Sequence, residues 1–246
     1  MAAASPRFTP NEMSCSIVNT LSPLGTSLPS CSTSITRLSD LSNMSAMFRL
    51  PIFIFLFVTS LATHATQTIL VFGDSLSSGY GLAREQSWPS LLERRLQTSH
   101  RAYAVVNASI SGETTAGGLT RLPEALALHK PTILLFALGA NDGLRGLPLA
   151  QMRANLTSMI RAAKQPGRKV LLIGMKLPPN FGPDYTAEFA RSFKDVARAQ
   201  KVPLLPFLLE PVAADPAAFQ ADNLHPVAEA EPKILDHVWK ALKPLL

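Results

Sequence analysis

The 246 residues are 47% hydrophobic and 16% charged, the balance of an ordinary globular protein with more than enough chain for one buried core. The formal charge of +6 points toward nucleic acid or an anionic membrane, yet Arg and Lys are scattered. No pair is tighter than Arg94-Arg95 and Arg168-Lys169 and no basic run carries interleaved aromatics, so nucleic-acid binding is set aside and weak attraction to anionic lipid or substrate remains.

In chain order, residues 1–46 form a segment rich in Ser, Thr, Pro and Met, without apolar periodicity, and are expected to be disordered or an over-extended start. Met47-Phe48-Arg49, an apolar run from Leu50 to Leu61 and the small exit Ala62-Thr63-His64-Ala65 then read as a signal peptide over 47–65, too short to span a bilayer comfortably. The mature chain is expected to begin at Thr66, to be periplasmic or secreted, and to have no stable membrane insertion after cleavage. Cys15 and Cys31 both lie in the leader, which excludes a cysteine nucleophile or thiolate metal site from the mature chain.

From Thr66 on, strands and helices alternate. Thr68 to Phe72 reads as a buried strand ending at Gly73-Asp74-Ser75, and Ser87 to Gln97 as a helix capped by Ser87, with Pro89 in its first turn. A second buried strand covers 102–107, and a helix over Gly118 to His129 is stopped by Pro131. The apolar run 132–138 is a strand covered on both faces, ending in the loop Gly139-Ala140-Asn141-Asp142-Gly143. Helix 149–164, strand 169–173, helix 185–201, strand 202–207 and a last helix through Leu242 complete a five-stranded parallel sheet. The fold class is α/β: a single three-layer α/β/α sandwich over 66–246.

Ligands in such sheets bind at the carboxyl ends of the strands. Four polar signals fall there: Gly73-Asp74-Ser75, Gly112, Asn141 with Asp142, and Asp222-Asn223-Leu224-His225. Each alone is an ordinary turn sequence; all four at one edge are not. Acyl transfer by a serine needs a base within hydrogen-bond reach and a group that orients the base. Ser75 suits the nucleophile, His225 the base, and Asp222, three residues before His225, the orienting carboxylate. Asp74 is assigned to holding its own turn. His100, His129 and His237 have no catalytic partner in the pattern and are expected to face solvent.

The four blocks resemble the SGNH, or GDSL, hydrolase family, and the resemblance covers essentially all of 66–246. Trp88-Pro89, the run 106–112, the run 139–146 and Val202 to Phe207 further resemble its periplasmic, multifunctional thioesterase, lysophospholipase and arylesterase type. The resemblance implies a flavodoxin-like sheet, an acyl-enzyme on Ser75, and an oxyanion hole from the amides of Ser75 and Gly112 and the side chain of Asn141. No metal is expected, since His-Glu-x-x-His, a cysteine pair and a carboxylate cluster of ligand spacing are absent, and no cofactor, since Gly79-Tyr80-Gly81 lacks the remainder of a phosphate loop.

Leu144 and Leu147, on a glycine-hinged loop after Asn141, and Leu177 and Pro178, beside Met175, Pro179 and Phe181, are expected to line an apolar groove for an acyl chain. The expected substrates are acyl esters, thioesters or lysophospholipids, handled by a monomer. Two alternatives use the same residues or fold: an esterase removing acetyl groups from carbohydrate, and a non-catalytic relative that holds lipid.

Overall fold

The structure, a computed structural model, describes residues 66–99 and 102–246, so the leader expected over 1–46, the signal over 47–65 and His100 lie outside the described residues. Five strands form one parallel sheet: β1 (Gln67–Gly73), β2 (Tyr103–Asn107), β3 (Ile133–Ala137), β4 (Lys169–Ile173) and β5 (Leu204–Leu205), in the order β2-β1-β3-β4-β5. Seven α-helices join them among the described residues: α1 (Ser75–Ser78), α2 (Trp88–Ser99), α3 (Thr115–His129), α4 (Ala140–Leu144), α5 (Leu149–Ala163), α6 (Pro183–Gln200) and α7 (Glu231–Leu242).

Alternation along each strand sends side chains to opposite faces. Ile69, Val71, Leu135 and Leu171 pack under α2 and α7, while Leu70, Phe72, Leu134, Phe136 and Leu172 pack under α3, α5 and α6. Both faces are thus covered, which is why β1, β3 and β4 are nearly continuous apolar runs. Each such side chain contributes about 1.5–3 kcal/mol by leaving water. The chain order reverses direction between β1 and β3, and that switch point is where parallel sheets open a crevice.

The structure corrects several sequence expectations. β2 is only half-buried, because it is an edge strand with a neighbour, β1, on one side only among the described residues. β5 shrinks to two residues, bounded by Pro203 and Pro206, neither of which has an N–H to extend the ladder. Asn141 and Asp142 sit in the short helix α4 rather than a loop. α3 begins at Thr115, with Thr114 as its cap accepting from the Gly117 N–H. His237 is not a solvent-facing surface residue: its Nε2 lies 3.0 Å from the Phe207 carbonyl.

Ser87 does not cap α2 with its hydroxyl, which instead donates to the carbonyl of Arg84. The first N–H of α2, on Trp88, donates to Glu231 Oε2 at 2.6 Å, so a buried carboxyl at the start of α7 caps a helix more than 140 residues earlier. Burial, only partly offset by that hydrogen bond, raises the Glu231 carboxyl from 4.5 to about 7. No helix among the described residues is long and apolar enough to cross a membrane.

Candidate active site

β1 stops at Gly73 because the backbone closes tightly there: a Cβ at this position would sit 2.9 Å from Ser77 Oγ and 3.0 Å from the Ala137 carbonyl oxygen. Asp74 then caps α1, its Oδ1 accepting the Leu76 N–H at 3.1 Å, and Ser75 becomes the first residue of that helical turn. The turn lifts the Ser75 hydroxyl out of the sheet at the switch point, partly exposed. Asp74 is itself 1% exposed, and its Oδ2 is buried with no hydrogen-bond partner. Desolvation, opposed by the N–H donors, raises its carboxyl from 3.8 to about 7.

Those two raised carboxyls set a pH dependence of stability. Between roughly pH 4 and 7 the folded protein keeps protons on Asp74 and Glu231 that the unfolded chain has released, so protons favour the fold. Stability from this source is complete below pH 4 and is lost as pH rises through about 7. At 1.36 kcal/mol per pH unit each carboxyl is worth about 3–4 kcal/mol. The thermal midpoint is therefore expected to fall over this range, and Asp74→Asn with Glu231→Gln, both able to keep the acceptor, to flatten the curve. A midpoint that falls equally in that double variant defeats the assignment.

The imidazole beside Ser75 comes from the far end of the chain. Asn223 adopts the left-handed conformation (φ 56), which asparagine tolerates better than most residues, and this folds Asp222 back over the two residues that follow. Asp222 Oδ1 accepts from the Leu224 and His225 backbone N–H groups at 2.9 and 3.0 Å, and Oδ2 lies 2.6 Å from His225 Nδ1. Desolvation pushes the Asp222 carboxyl upward, but the His225 backbone and imidazole and the Leu224 N–H outweigh it and hold it down at about 2. An ionised carboxylate can only accept, so Nδ1 carries the proton and the Nε2 lone pair faces outward. Nε2 lies 2.8 Å from Ser75 Oγ. The structure thus brings Ser75, His225 and Asp222 into one hydrogen-bonded line and leaves Asp74 out of it.

Gly112, in the left-handed region at φ 77, closes the turn before α3. Its carbonyl accepts from Arg145 Nη2 at 2.8 Å, which ties the loop after β2 to the one after β3. Asn141 Nδ2 donates to the Glu113 carbonyl at 3.1 Å. A side-chain amide has two N–H donors, so this bond fixes the group while leaving a second hydrogen for a ligand oxygen. Asp142, buried, anchors the assembly from behind: it accepts from the Thr115 N–H at 2.8 Å and the Thr115 hydroxyl at 2.5 Å, and Asn155 Nδ2 donates to that hydroxyl.

A cavity of about 530 Å³ opens beside Ser75, Asn141 and His225. Leu144, Leu177 and Pro178 line it, with Met175, Pro179 and Phe207. Leu147 does not: its backbone N–H is held by the Asp142 carbonyl and its side chain stands in solvent. Phe181 is also absent from the lining, its ring stacked instead on Tyr185.

Sequence reasoning missed the groups that brace His225. The Tyr80 ring lies 4.4 Å from the imidazole centroid, and Gln220 Nε2 donates to both the Tyr80 and Pro226 carbonyls at 2.8 and 2.9 Å, fastening the serine loop to the histidine turn. Nothing local marks them, since the partners are 140 residues apart along the chain. Among the described residues no group of three His, Cys, Asp or Glu could hold a metal ion.

The chain resembles known proteins along most of its described length. Residues 71–231 match the model of the GDSL-like lipase/acylhydrolase family. The chain is 50% identical over 182 residues to the esterase TesA of Pseudomonas aeruginosa, covering 74% of this chain and 90% of that one. It is 40% identical over 206 residues to the thioesterase 1/protease 1/lysophospholipase L1 of Escherichia coli K12, covering 83% and 97%. A solved structure of the psychrotrophic esterase EstA from Pseudoalteromonas sp., inhibited by monoethylphosphonate, superposes with a TM-score of 0.70 at 37% identity, covering 73% of this chain and 98% of that one. With the matched region holding Ser75, Gly112, Asn141 and His225, this chain belongs to the GDSL-like lipase/acylhydrolase family.

Proposed function

We propose that this protein is a serine hydrolase that cleaves carboxylic esters and thioesters of acyl chains. The observation that carries the reading is the line from Ser75 Oγ through His225 to Asp222, 2.8 and 2.6 Å. His225 Nε2 takes the Ser75 proton as Oγ bonds to the substrate carbonyl carbon, and Asp222 stabilises the imidazolium that forms. The tetrahedral oxyanion is held by the N–H groups of Ser75 and Gly112 and by Asn141 Nδ2. Its collapse breaks the bond to the leaving oxygen or sulfur, which receives the proton from His225 and departs as alcohol or thiol. Water, deprotonated by the same imidazole, then attacks the acyl-enzyme and releases the acid.

The cavity supports acyl chains over sugars. Leu144, Leu177, Pro178 and Phe207 offer an apolar wall that recovers hydrophobic energy with each buried methylene, about 0.8 kcal/mol. The names of the relatives, an esterase and a thioesterase with lysophospholipase activity, agree with that substrate class. The rate kcat/KM on p-nitrophenyl esters is therefore expected to rise severalfold per two carbons from acetyl to medium chain, and Leu177→Ser to flatten the rise. A profile highest at acetyl, or stronger turnover of acetylated sugars, would turn the reading toward a carbohydrate esterase. Labelling of the protein by a fluorophosphonate, absent after Ser75→Ala, separates an enzyme from a lipid holder.

A further inference from the structure

The groups assigned above to the oxyanion come from separate segments: Ser75 follows β1, Gly112 follows β2 and Asn141 follows β3. Contacts between segments must therefore set their mutual placement, and a donor is effective when it is aimed before the charge appears. Glu113 stands where these segments meet. Its peptide adjoins Gly112, and its carbonyl accepts from Asn141 Nδ2 at 3.1 Å, which fixes the roll of the Asn141 amide. Its carboxylate grips Arg121 on α3 through two hydrogen bonds, from Nε to Oε1 at 2.9 Å and from Nη2 to Oε2. The Arg121 guanidinium in turn lies 4.0 Å from the centre of the Phe72 ring on β1, three residues before Ser75.

This pair is largely withdrawn from water: the Glu113 side chain is 8% exposed and that of Arg121 23%. Gly117 makes room for it, since a Cβ there would already touch Glu113 Cγ at 3.4 Å. Desolvating two charges costs about as much as their attraction returns, and a well-packed apolar pair of similar volume is often no less stable. What the forked, planar pair supplies is a fixed geometry, because both carboxylate oxygens are engaged at once. Other ties on this loop, Arg145 to the Gly112 carbonyl and Asp142 to Thr115, join it to α4 and its C-terminal end. The Glu113–Arg121 pair joins it to α3 and to the aromatic ring on β1.

We propose that Glu113 and Arg121 are positioning residues for the hydrolysis: their ion pair holds the Glu113 carbonyl at the point from which it aims Asn141 Nδ2 at the oxyanion. The inference rests on the acyl-hydrolase reading and deepens it. Neither residue belongs to the hydrogen-bonded line from Ser75 to Asp222 or to the lining of the cavity. Their effect passes through Asn141, and so falls on the transition state and not on substrate binding.

The test replaces both ions by neutral groups of similar shape, in Glu113→Gln/Arg121→Met, and measures kcat, KM and the thermal midpoint with a medium-chain p-nitrophenyl ester. The expected result is a fall in kcat of about 10–30-fold, less than the loss on removing the donor itself, with KM within about threefold. The midpoint is expected to stay within about 5 °C. In an Asn141→Ala background the same two substitutions are expected to lower kcat by less than about twofold, because a donor already removed cannot be misaimed. Arg121→Lys, which keeps the charge but not the fork, is expected to recover part of the loss. An unchanged kcat, a loss that appears in KM, an undiminished loss in the Asn141→Ala background, or a loss accounted for by a smaller folded fraction would each overturn the proposal. If the double variant does not fold, Glu113→Gln alone, which keeps an acceptor for Arg121, carries the same comparison with a fall of about threefold expected. Full activity in Ser75→Ala would sink the hydrolase reading itself, whereas activity lost there and in Asn141→Ala but untouched by Glu113→Gln/Arg121→Met sinks this inference alone.

Discussion

Ser75→Ala is expected to lower kcat by roughly 10⁴-fold or more while leaving the thermal midpoint within about 2 °C. The hydroxyl makes one hydrogen bond of consequence, to His225 Nε2, at a partly exposed position, so little folding energy is at stake and the loss is one of chemistry. His225→Ala is expected to cost nearly as much. The double variant should lose no more than either single one, because a nucleophile without its base and a base without its nucleophile are equally idle. Steady-state kinetics on a p-nitrophenyl ester, with circular dichroism to check the fold, measure all three. Additive losses, in which the double variant falls by the product of the single effects, would mean that the two residues act independently and that their 2.8 Å contact is not the working one.

Asn141→Ala is the second large effect, expected at 10²–10³-fold in kcat with KM changed by less than about threefold. A donor that meets the oxygen only once it is charged acts on the transition state and not on substrate binding. The same substitution removes the bond to the Glu113 carbonyl, worth about 1 kcal/mol, so a modest fall in stability accompanies the loss without explaining it. Should KM rise by an order of magnitude with kcat preserved, Asn141 would be a binding residue and the oxyanion hole would have to be built from Gly112 and Ser75 alone.

Much of this was legible in the amino-acid sequence because the informative residues act locally. Gly73 ends a strand, Pro131 stops a helix, and Asp222 reaches His225 within a single turn. These depend on neighbours a few residues away, which a pattern can carry. The parallel sheet, too, follows from strands alternating with helices, whereas its order β2-β1-β3-β4-β5 is set by the fold.

What escaped depends on partners distant in the chain. That Glu231 caps α2 in place of Ser87, that Tyr80 flanks His225, and that Leu147 leaves the cavity to Leu144 and Phe207 all turn on how helices and loops come together. β2 and β5 were over-read for the same reason, since an apolar run does not say whether its strand lies at the centre of a sheet or at its margin. Asp142 reads as a second turn residue beside Asn141, and only the fold reveals Thr115 and Asn155 gathered around it.

The two margins of the sheet differ in what they offer a stranger. Along β5 the prolines at 203 and 206 withhold amide hydrogens and the ladder is only two residues long, so a foreign segment finds almost nothing to zip onto. The outer side of β2 has five residues, Tyr103 to Asn107, without a proline among them. Among the described residues, the edge more open to an added strand, and with it to a first step of fibrous aggregation on partial melting, is therefore that flank.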